Sequence, residues 1–352
     1  MFKPKYQITD KLLDQIKQIN KLVIELNQKR FPDIVLVELE KNAREISSFA
    51  STSIEGNPLP LTEVKKILKS KPKFIRDSEK EVLNYNNSLI NLDKKLKLKN
   101  HQLTLNLILE IQKQVTQDLL PRHQSGYFRQ HPVFVNNPKT RKTIFLPPDH
   151  KDVNKLMKEL VDFVQQSKNT IDPIIIAGIF HKQMVIIHPF IDGNGRATRL
   201  ATKLLLAELG LNTFNLFSFE NYYNQNITKY FKTVGEQGNY YDLADKIDFS
   251  NWLEYFCEGI IDELLRVKKL LPSINFNPDT KLKTHHKKIL EFIKNNNFIT
   301  DKDYAKLTKR AKATRALDFK KLLSLNLIER KGKGKSTYYL LALSRNGPFS
   351  VK

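Results

Sequence analysis

One cysteine in 352 residues, Cys257, removes any intrachain disulfide and fits a reducing compartment. No apolar run reaches the ~20 residues that a membrane helix requires. The opening stretch, MFKPKYQITDKLLDQIKQIN, lacks the apolar segment of a secretory signal. These absences make the cytoplasm the expected location and exclude a membrane partner. No internal repeat is found, and before the C-terminal region only one stretch reads as a β-hairpin. The expected class is therefore mainly α.

Charge is present in excess and is unevenly spread. The chain carries 59 Lys and Arg against 37 Asp and Glu, a net +22. Residues 281–352 hold 19 basic and 5 acidic residues, a net +14, which leaves +8 for the first 280. A basic C-terminal fifth suits a polyanion such as DNA. A lysine-rich composition that decorates every solvated face, visible in KLKLKN, accounts for part of it.

Periodicity divides the chain into three regions. Residues 1–100 read as a helical segment: Leu12, Ile16, Ile19, Leu22, Val23 and Leu26 recur at helical spacing, and a second amphipathic run covers about 37–56 before Gly56-Asn57-Pro58 stops it. Residues 101–271 read as a core of further helices interrupted by the hairpin at Val133–Phe145. Asp172-Pro173 supplies an N-cap and first-turn pair for the apolar run that ends at His188. A linker near Pro272–Pro278 precedes residues 279–345, where three helices and a hairpin with a basic tip follow the order of a winged helix-turn-helix.

The apolar run ends in HPFIDGNGRATR, residues 188–199. Gly193-Asn194-Gly195 can turn successive backbone N–H groups inward as an anion nest, and the following helix adds its N-terminal dipole. Arg196 and Arg199, three residues apart on that helix, are expected at the mouth of the nest. Asp192 offers the single carboxylate of a phosphate-bound Mg²⁺ site. His188 can take a proton from an incoming hydroxyl near neutral pH. The set suits transfer of a nucleotidyl group to a side-chain hydroxyl.

HPFIDGNGRATR is similar at every fixed position to the Fic signature, H-P-F-x-D/E-G-N-G-R-x-x-R. The resemblance implies a mainly α fold: a Fic-type helical core with a β-hairpin flap, to which this chain adds a small C-terminal winged helix-turn-helix. It implies a protein adenylyltransferase that moves AMP from ATP to a Ser, Thr or Tyr hydroxyl of a target protein, and onto itself. His188 would be the general base and Asp192 the Mg²⁺ ligand, with Gly193, Asn194, Gly195, Arg196, Ala197, Thr198 and Arg199 around the nucleotide. Thr143, Ile144 and Phe145 would form the flap that holds the target as an added strand. For the adenine pocket two aromatic pairs stay open, Tyr230-Phe231 and Tyr240-Tyr241.

FASTSIEGN, at the end of the second helix, also resembles a family element. Ser51-x-x-x-Glu55-Gly56 matches the Fic inhibitory motif. A glutamate presented to Arg199 would form a charge-assisted pair where an ATP γ-phosphate should sit. The same residue serves AMP removal in some relatives, so both roles stay open for Glu55. At the C-terminus, Lys312, Thr314, Arg315 and Lys321, with Lys333 and Lys335 in the wing, would face DNA if this module binds it. A second reading is therefore a DNA-binding regulator with a nucleotide-sensing core. The oligomeric state, a homo-oligomer included, stays open.

Overall fold

The most apolar helix lies at the centre of the molecule. In the computed structural model, which describes residues 2–28, 33–69, 75–97, 102–136, 140, 142–211, 218–270, 282–325 and 327–341, that helix spans Pro173–Ile187. Thirteen of its residues are buried. The Asp172 side chain accepts the N–H of Ile174 at 2.8 Å, and Pro173 occupies the first turn, as expected from the sequence.

The elements run in the following order. First come α1 (Asp10–Gln28), α2 (Asp33–Ile54), α3 (Leu61–Lys69), α4 (Asp77–Lys97) and α5 (Leu105–Val115). Strands β1 (Val135–Asn136) and β2 (Thr143–Leu146) precede α6 (His150–Ser167), α7 (the central helix) and α8 (Asn194–Glu208). Then come α9 (Phe219–Gln225), α10 (Ile227–Val234), β3 (Gly238–Asn239), α11 (Tyr240–Leu243) and α12 (Ser250–Leu270). The chain closes with α13 (Thr284–Asn296), α14 (Asp301–Leu307), α15 (Lys312–Ser324), β4 (Ile328–Lys331) and β5 (Tyr338–Leu341). The fold is mainly α, as expected. Among the described residues, no helix is long and apolar enough to cross a membrane.

One hydrophobic cluster gathers side chains from both sides of residue 100. Leu12, Ile16 and Ile19 of α1 share it with Phe180 of α7, Leu204 of α8 and Phe256 of α12. The first helix is thus joined to the central core: Lys11 on α1 pairs with Glu254 and Glu258 on α12, at 3.1 and 2.9 Å. Trp252, fully buried, donates its indole N–H to the carbonyl of Gly178 at 2.7 Å and ties α12 to α7.

The hairpin is short. β1 and β2 pair antiparallel through Val135 and Phe145, and residues 137–139, the expected turn, lie outside the described residues. A strand absent from the sequence reading completes the sheet: β3 runs parallel to β2, pairing Gly238 with Phe145 and Asn239 with Leu146. Two residues give no detectable strand periodicity, so only tertiary pairing reveals it.

The C-terminal unit has its own cluster, built on Ile289, Ile293, Tyr304, Phe319, Leu322 and Ile328. Its hairpin pairs Ile328 with Leu341 and Lys331 with Tyr338, and Tyr339 stacks on Phe319 at 4.0 Å. Arg315, expected to face a DNA groove, is held instead by Asp301 through two 2.8 Å hydrogen bonds. Its guanidinium is committed to the unit's own structure. The expected linker and the Lys335 side chain lie outside the described residues.

Candidate active site

Three helix ends meet at the polar stretch that follows α7. His188 caps α7 in the left-handed conformation, with φ 49°, which turns the chain out of the helix axis. Its Nδ1 faces the carbonyl of Val185 at 3.4 Å, an arrangement that favours the proton on Nδ1 and leaves the Nε2 lone pair for an incoming hydroxyl. Burial holds the imidazolium pKa below its ordinary value, so the ring is a neutral base at physiological pH. Arg129 fixes the cap from outside: its guanidinium donates to the carbonyls of His188, His131 and Pro148, and its own N–H donates to the carbonyl of Pro189.

The loop is stapled by Asn194. Its side chain accepts the N–H of Phe190 at 2.9 Å and donates to the Phe190 carbonyl at 2.8 Å. Both ends of the Asn194 side chain are thus used within the loop, which leaves its backbone N–H for the expected nest. Gly193 is the N-cap of α8 at φ 79° and contributes no side-chain cap. The N–H groups of the first turn therefore keep their anion-binding capacity.

Gly195 marks the mouth of the nest. A Cβ there would overlap Glu55 Oε1 and come within 2.9 Å of Arg199 Nη1. That Nη1 is buried and has no hydrogen-bond partner among the described residues, a donor aimed at the place where an anion would sit. The other edge of the guanidinium is occupied. Arg199 Nε donates to Ser51 Oγ at 2.8 Å, and Nη2 donates to the Ser51 carbonyl at 2.9 Å and to Glu55 at 2.7 Å. Burial opposes the charge on Arg199, but Glu55, Tyr230 and Tyr85 together outweigh it, so its pKa lies above the ordinary value. The geometry brings Ser51, Glu55 and Arg199 together. Gly56, at φ 92°, turns the chain away just after the end of α2.

Arg196 sits elsewhere than expected. Its guanidinium, 2% exposed, pairs with Asp192 at 2.9 Å and with Glu81 on α4 at 3.2 Å. Three residues along a helix turn a side chain by about 300°, enough to aim Arg196 at α4 while Arg199 faces α2. Asp192 remains half exposed, and one accessible carboxylate beside an anion nest fits the protein's share of a Mg²⁺ site. Ala197 and Thr198 point inward. The first joins the core and the second donates its hydroxyl to the Asn194 carbonyl, so neither side chain lines the nest.

Each of the two aromatic pairs presents one open ring, Phe231 in the first and Tyr241 in the second. Tyr230 is buried, bonds to His181 at 3.1 Å and stacks on Tyr223 at 4.8 Å, which removes it from the expected adenine pocket. Tyr240 is largely buried, whereas Tyr241 is exposed and donates its hydroxyl to Asp152 at 2.5 Å. Both follow β3 and so stand beside the flap. In the flap, Thr143 is exposed, Ile144 is half-buried and Phe145 packs in the core, so Phe145 cannot present its side chain to a target.

Several residues were missed in the sequence. Ser47 on α2 accepts from Lys203 on α8, and Glu220 accepts from Ser47 (3.1 Å), Tyr85 (2.7 Å) and Ser218 (2.9 Å) while pairing with Lys203 (3.2 Å). The resulting contacts form a ladder: Ser47, Ser51 and Glu55 on one side, Lys203, Arg199 and Gly195 on the other. The four-residue steps on both helices were the available signal. Glu81 carried none.

This arrangement matches known proteins in one region. Residues 102–206 match the Fic/DOC family. Protein adenylyltransferase fic-1 of Caenorhabditis elegans is 33% identical over 168 residues, which are 46% of this chain and 31% of that protein. Protein adenylyltransferase Fic of Culex quinquefasciatus is 30% identical over 54% of this chain and 40% of its own. The chain therefore spans well under half the length of these curated relatives. A crystal structure of a Fic family protein from Desulfovibrio desulfuricans G20 superposes with a TM-score of 0.62 over 97% of this chain and 98% of that one, at 18% identity, a likeness of fold.

Proposed function

We propose that this protein is a protein adenylyltransferase held inactive by its own Glu55. The observation that carries the reading is the pair between the buried Arg199 and the partly exposed Glu55 at the mouth of the Gly195 nest. ATP would be the AMP donor, with its phosphates on the first turn of α8. Mg²⁺ would be held by Asp192 and would neutralise phosphate charge there. The target hydroxyl oxygen attacks the α-phosphorus, its proton passes to His188 Nε2, and the bond to the β-phosphate breaks with release of pyrophosphate. Arg199 would bind the terminal phosphate once Glu55 has moved. While Glu55 occupies it, bound ATP lacks that anchor, and a misplacement of about 1 Å costs on the order of 10²-fold in rate.

The target segment would join the sheet beside Thr143 and Ile144, because β3 already covers the equivalent edge at Phe145 and Leu146. Phe231, Tyr240 and Tyr241 are the remaining candidates for adenine contact. The C-terminal unit is read as a winged helix that docks on α2; with Arg315 engaged by Asp301, the observations do not favour the DNA-binding alternative. The single cysteine, buried and free, supports a cytoplasmic setting.

The test is incubation with α-labelled ATP and Mg²⁺. Glu55→Gly should label protein, itself included, and the double variant Glu55→Gly/His188→Ala should not. Equal labelling of both variants would remove His188 from the role of base. Transfer of γ label alone would replace adenylylation by phosphorylation.

A further inference from the structure

The core and the C-terminal unit keep separate hydrophobic clusters. What crosses between them at α2 is a set of polar side-chain bonds. Lys294 on α13 pairs with Glu40. Arg44 donates Nη2 to the carbonyl of Lys294 at 2.5 Å, and Lys41 donates to the carbonyl of Leu341, the last residue of β5, at 3.3 Å. Arg44 and Lys294 are both buried. Glu40, Arg44, Ser47, Ser51 and Glu55 recur at three- and four-residue steps, so one stripe of α2 carries the contacts to α13 at one end and the ladder to α8 at the other.

Seating the C-terminal unit also leaves polar groups unpaired. Arg44 Nη1, Glu45 Oε2 and Asn86 Nδ2 are buried with no hydrogen-bond partner among the described residues. They gather beside Ile293 and Leu340, where α2 and α4 meet α13 and β5. Such groups are costly while covered and regain water once uncovered. An interface held by polar bonds, with that cost built in and no shared core, parts more readily than either unit unfolds.

We propose that the C-terminal unit is a clamp on the brake: seated, it holds α2 down along the stripe that carries Glu55, and lifting it off releases Glu55 from Arg199. This rests on the brake reading above. The coupling is thermodynamic. α2 is one helix of 22 residues, and about 22 Å of it joins Glu40 to Glu55. Contacts at Glu40 and Arg44 therefore favour the seated position of the whole helix. Each bond lost there shifts the equilibrium toward the state in which Arg199 is free for phosphate. An event at the C-terminal unit reaches the nest through α2 without touching the nest itself.

Charge swaps in the full chain test the clamp. Glu40→Lys sets two ammonium groups against each other, and the double variant Glu40→Lys/Lys294→Glu restores the ion pair in reverse. Lys294→Gln, which removes the ammonium without adding a like charge, should act in the same direction with a smaller effect. Hydrogen exchange reads the seating of α2. Glu40→Lys should speed exchange of backbone amides 47–55 about fivefold or more, and the double variant should return it toward the native rate. Acceleration confined to residues 39–44 and 282–341, or none at all, would overturn the clamp whether or not the chain transfers AMP. Labelling with α-labelled ATP reads the consequence. Glu40→Lys should raise it about fivefold or more, the double variant should reverse the rise, and neither should change labelling in the Glu55→Gly background. Unchanged labelling in Glu40→Lys, where Glu55→Gly labels strongly, would also overturn the clamp. If Glu55→Gly itself labels no more than the native chain, the brake reading fails, and exchange alone decides whether the C-terminal unit seats α2.

Discussion

Glu55 and Arg199, 144 residues apart in the chain, meet in a 2.7 Å ion pair directly over Gly195. The pair is asymmetric. Arg199 is wholly buried, whereas the Glu55 side chain is 30% exposed and sits in the turn after α2. Moving Glu55 exposes no buried carboxylate, while Arg199 must find another anion. A triphosphate is a suitable replacement, so the latch can open without leaving an unpaired charge in the core.

The ladder behind the latch should matter as much as the latch itself. Ser47→Ala removes the hydroxyl that links Lys203 to Glu220, at a cost of about 1–3 kcal/mol in urea unfolding. Because the loss falls on the seating of α2, labelling with α-labelled ATP should rise roughly fivefold or more over the native chain. Unchanged labelling at reduced stability would detach Ser47 from the brake.

Glu81 and Asp192 share Arg196. Glu81→Gln leaves the guanidinium to Asp192 alone and makes that carboxylate a poorer metal ligand. In the Glu55→Gly background, the Mg²⁺ concentration for half-maximal labelling should rise by about 10-fold, with little change at saturating Mg²⁺. An unchanged Mg²⁺ dependence would mean that Arg196 does not compete for Asp192.

Arg129 touches His188 at its backbone carbonyl, and its charge also disfavours the imidazolium, so it is a positioning residue. Arg129→Lys loses the planar fork that spans His188, His131 and Pro148. In Glu55→Gly it should lower kcat on the order of 10²-fold while leaving KM for ATP nearly unchanged. A parallel rise in KM would point instead to a collapsed nest.

Burial of His188 sets the pH profile. In the proposed role the neutral ring would be the active form, and its pKa lies below the ordinary 6.5. Removing Glu55 also removes a charge that favours the imidazolium. The kcat of Glu55→Gly should be flat from about pH 7 to 8 and fall about tenfold per unit only below the depressed pKa. An acid limb beginning above pH 6.5 would contradict a buried, neutral base.

Much of this molecule was legible along the chain. The Asp172-Pro173 start of α7, the all-apolar character of that helix and the three-helix-plus-hairpin order of the C-terminal unit depend on local spacing and capping. HPFIDGNGRATR compresses the proposed base and metal ligand, the nest and both arginines into twelve residues, so the sequence contains the local half of the candidate site. The start of α8 at Asn194 lies inside the glycine-rich turn itself. There the glycine-rich turn is already the cap and first turn.

What the sequence by itself determined is therefore what a residue and its near neighbours decide: helix faces, caps, turns and the types of side chain available to chemistry. Tertiary structure alone decided who meets whom. It turned Arg196 toward Glu81 and Arg199 toward Glu55, drew Tyr230 and Phe145 into the core, paired β3 with β2, and laid the C-terminal unit against α2. The physical reason is that an ion pair or a buried hydroxyl takes its energy from the partner across the packing interface. That partner is fixed by how helices cross, which no local spacing encodes.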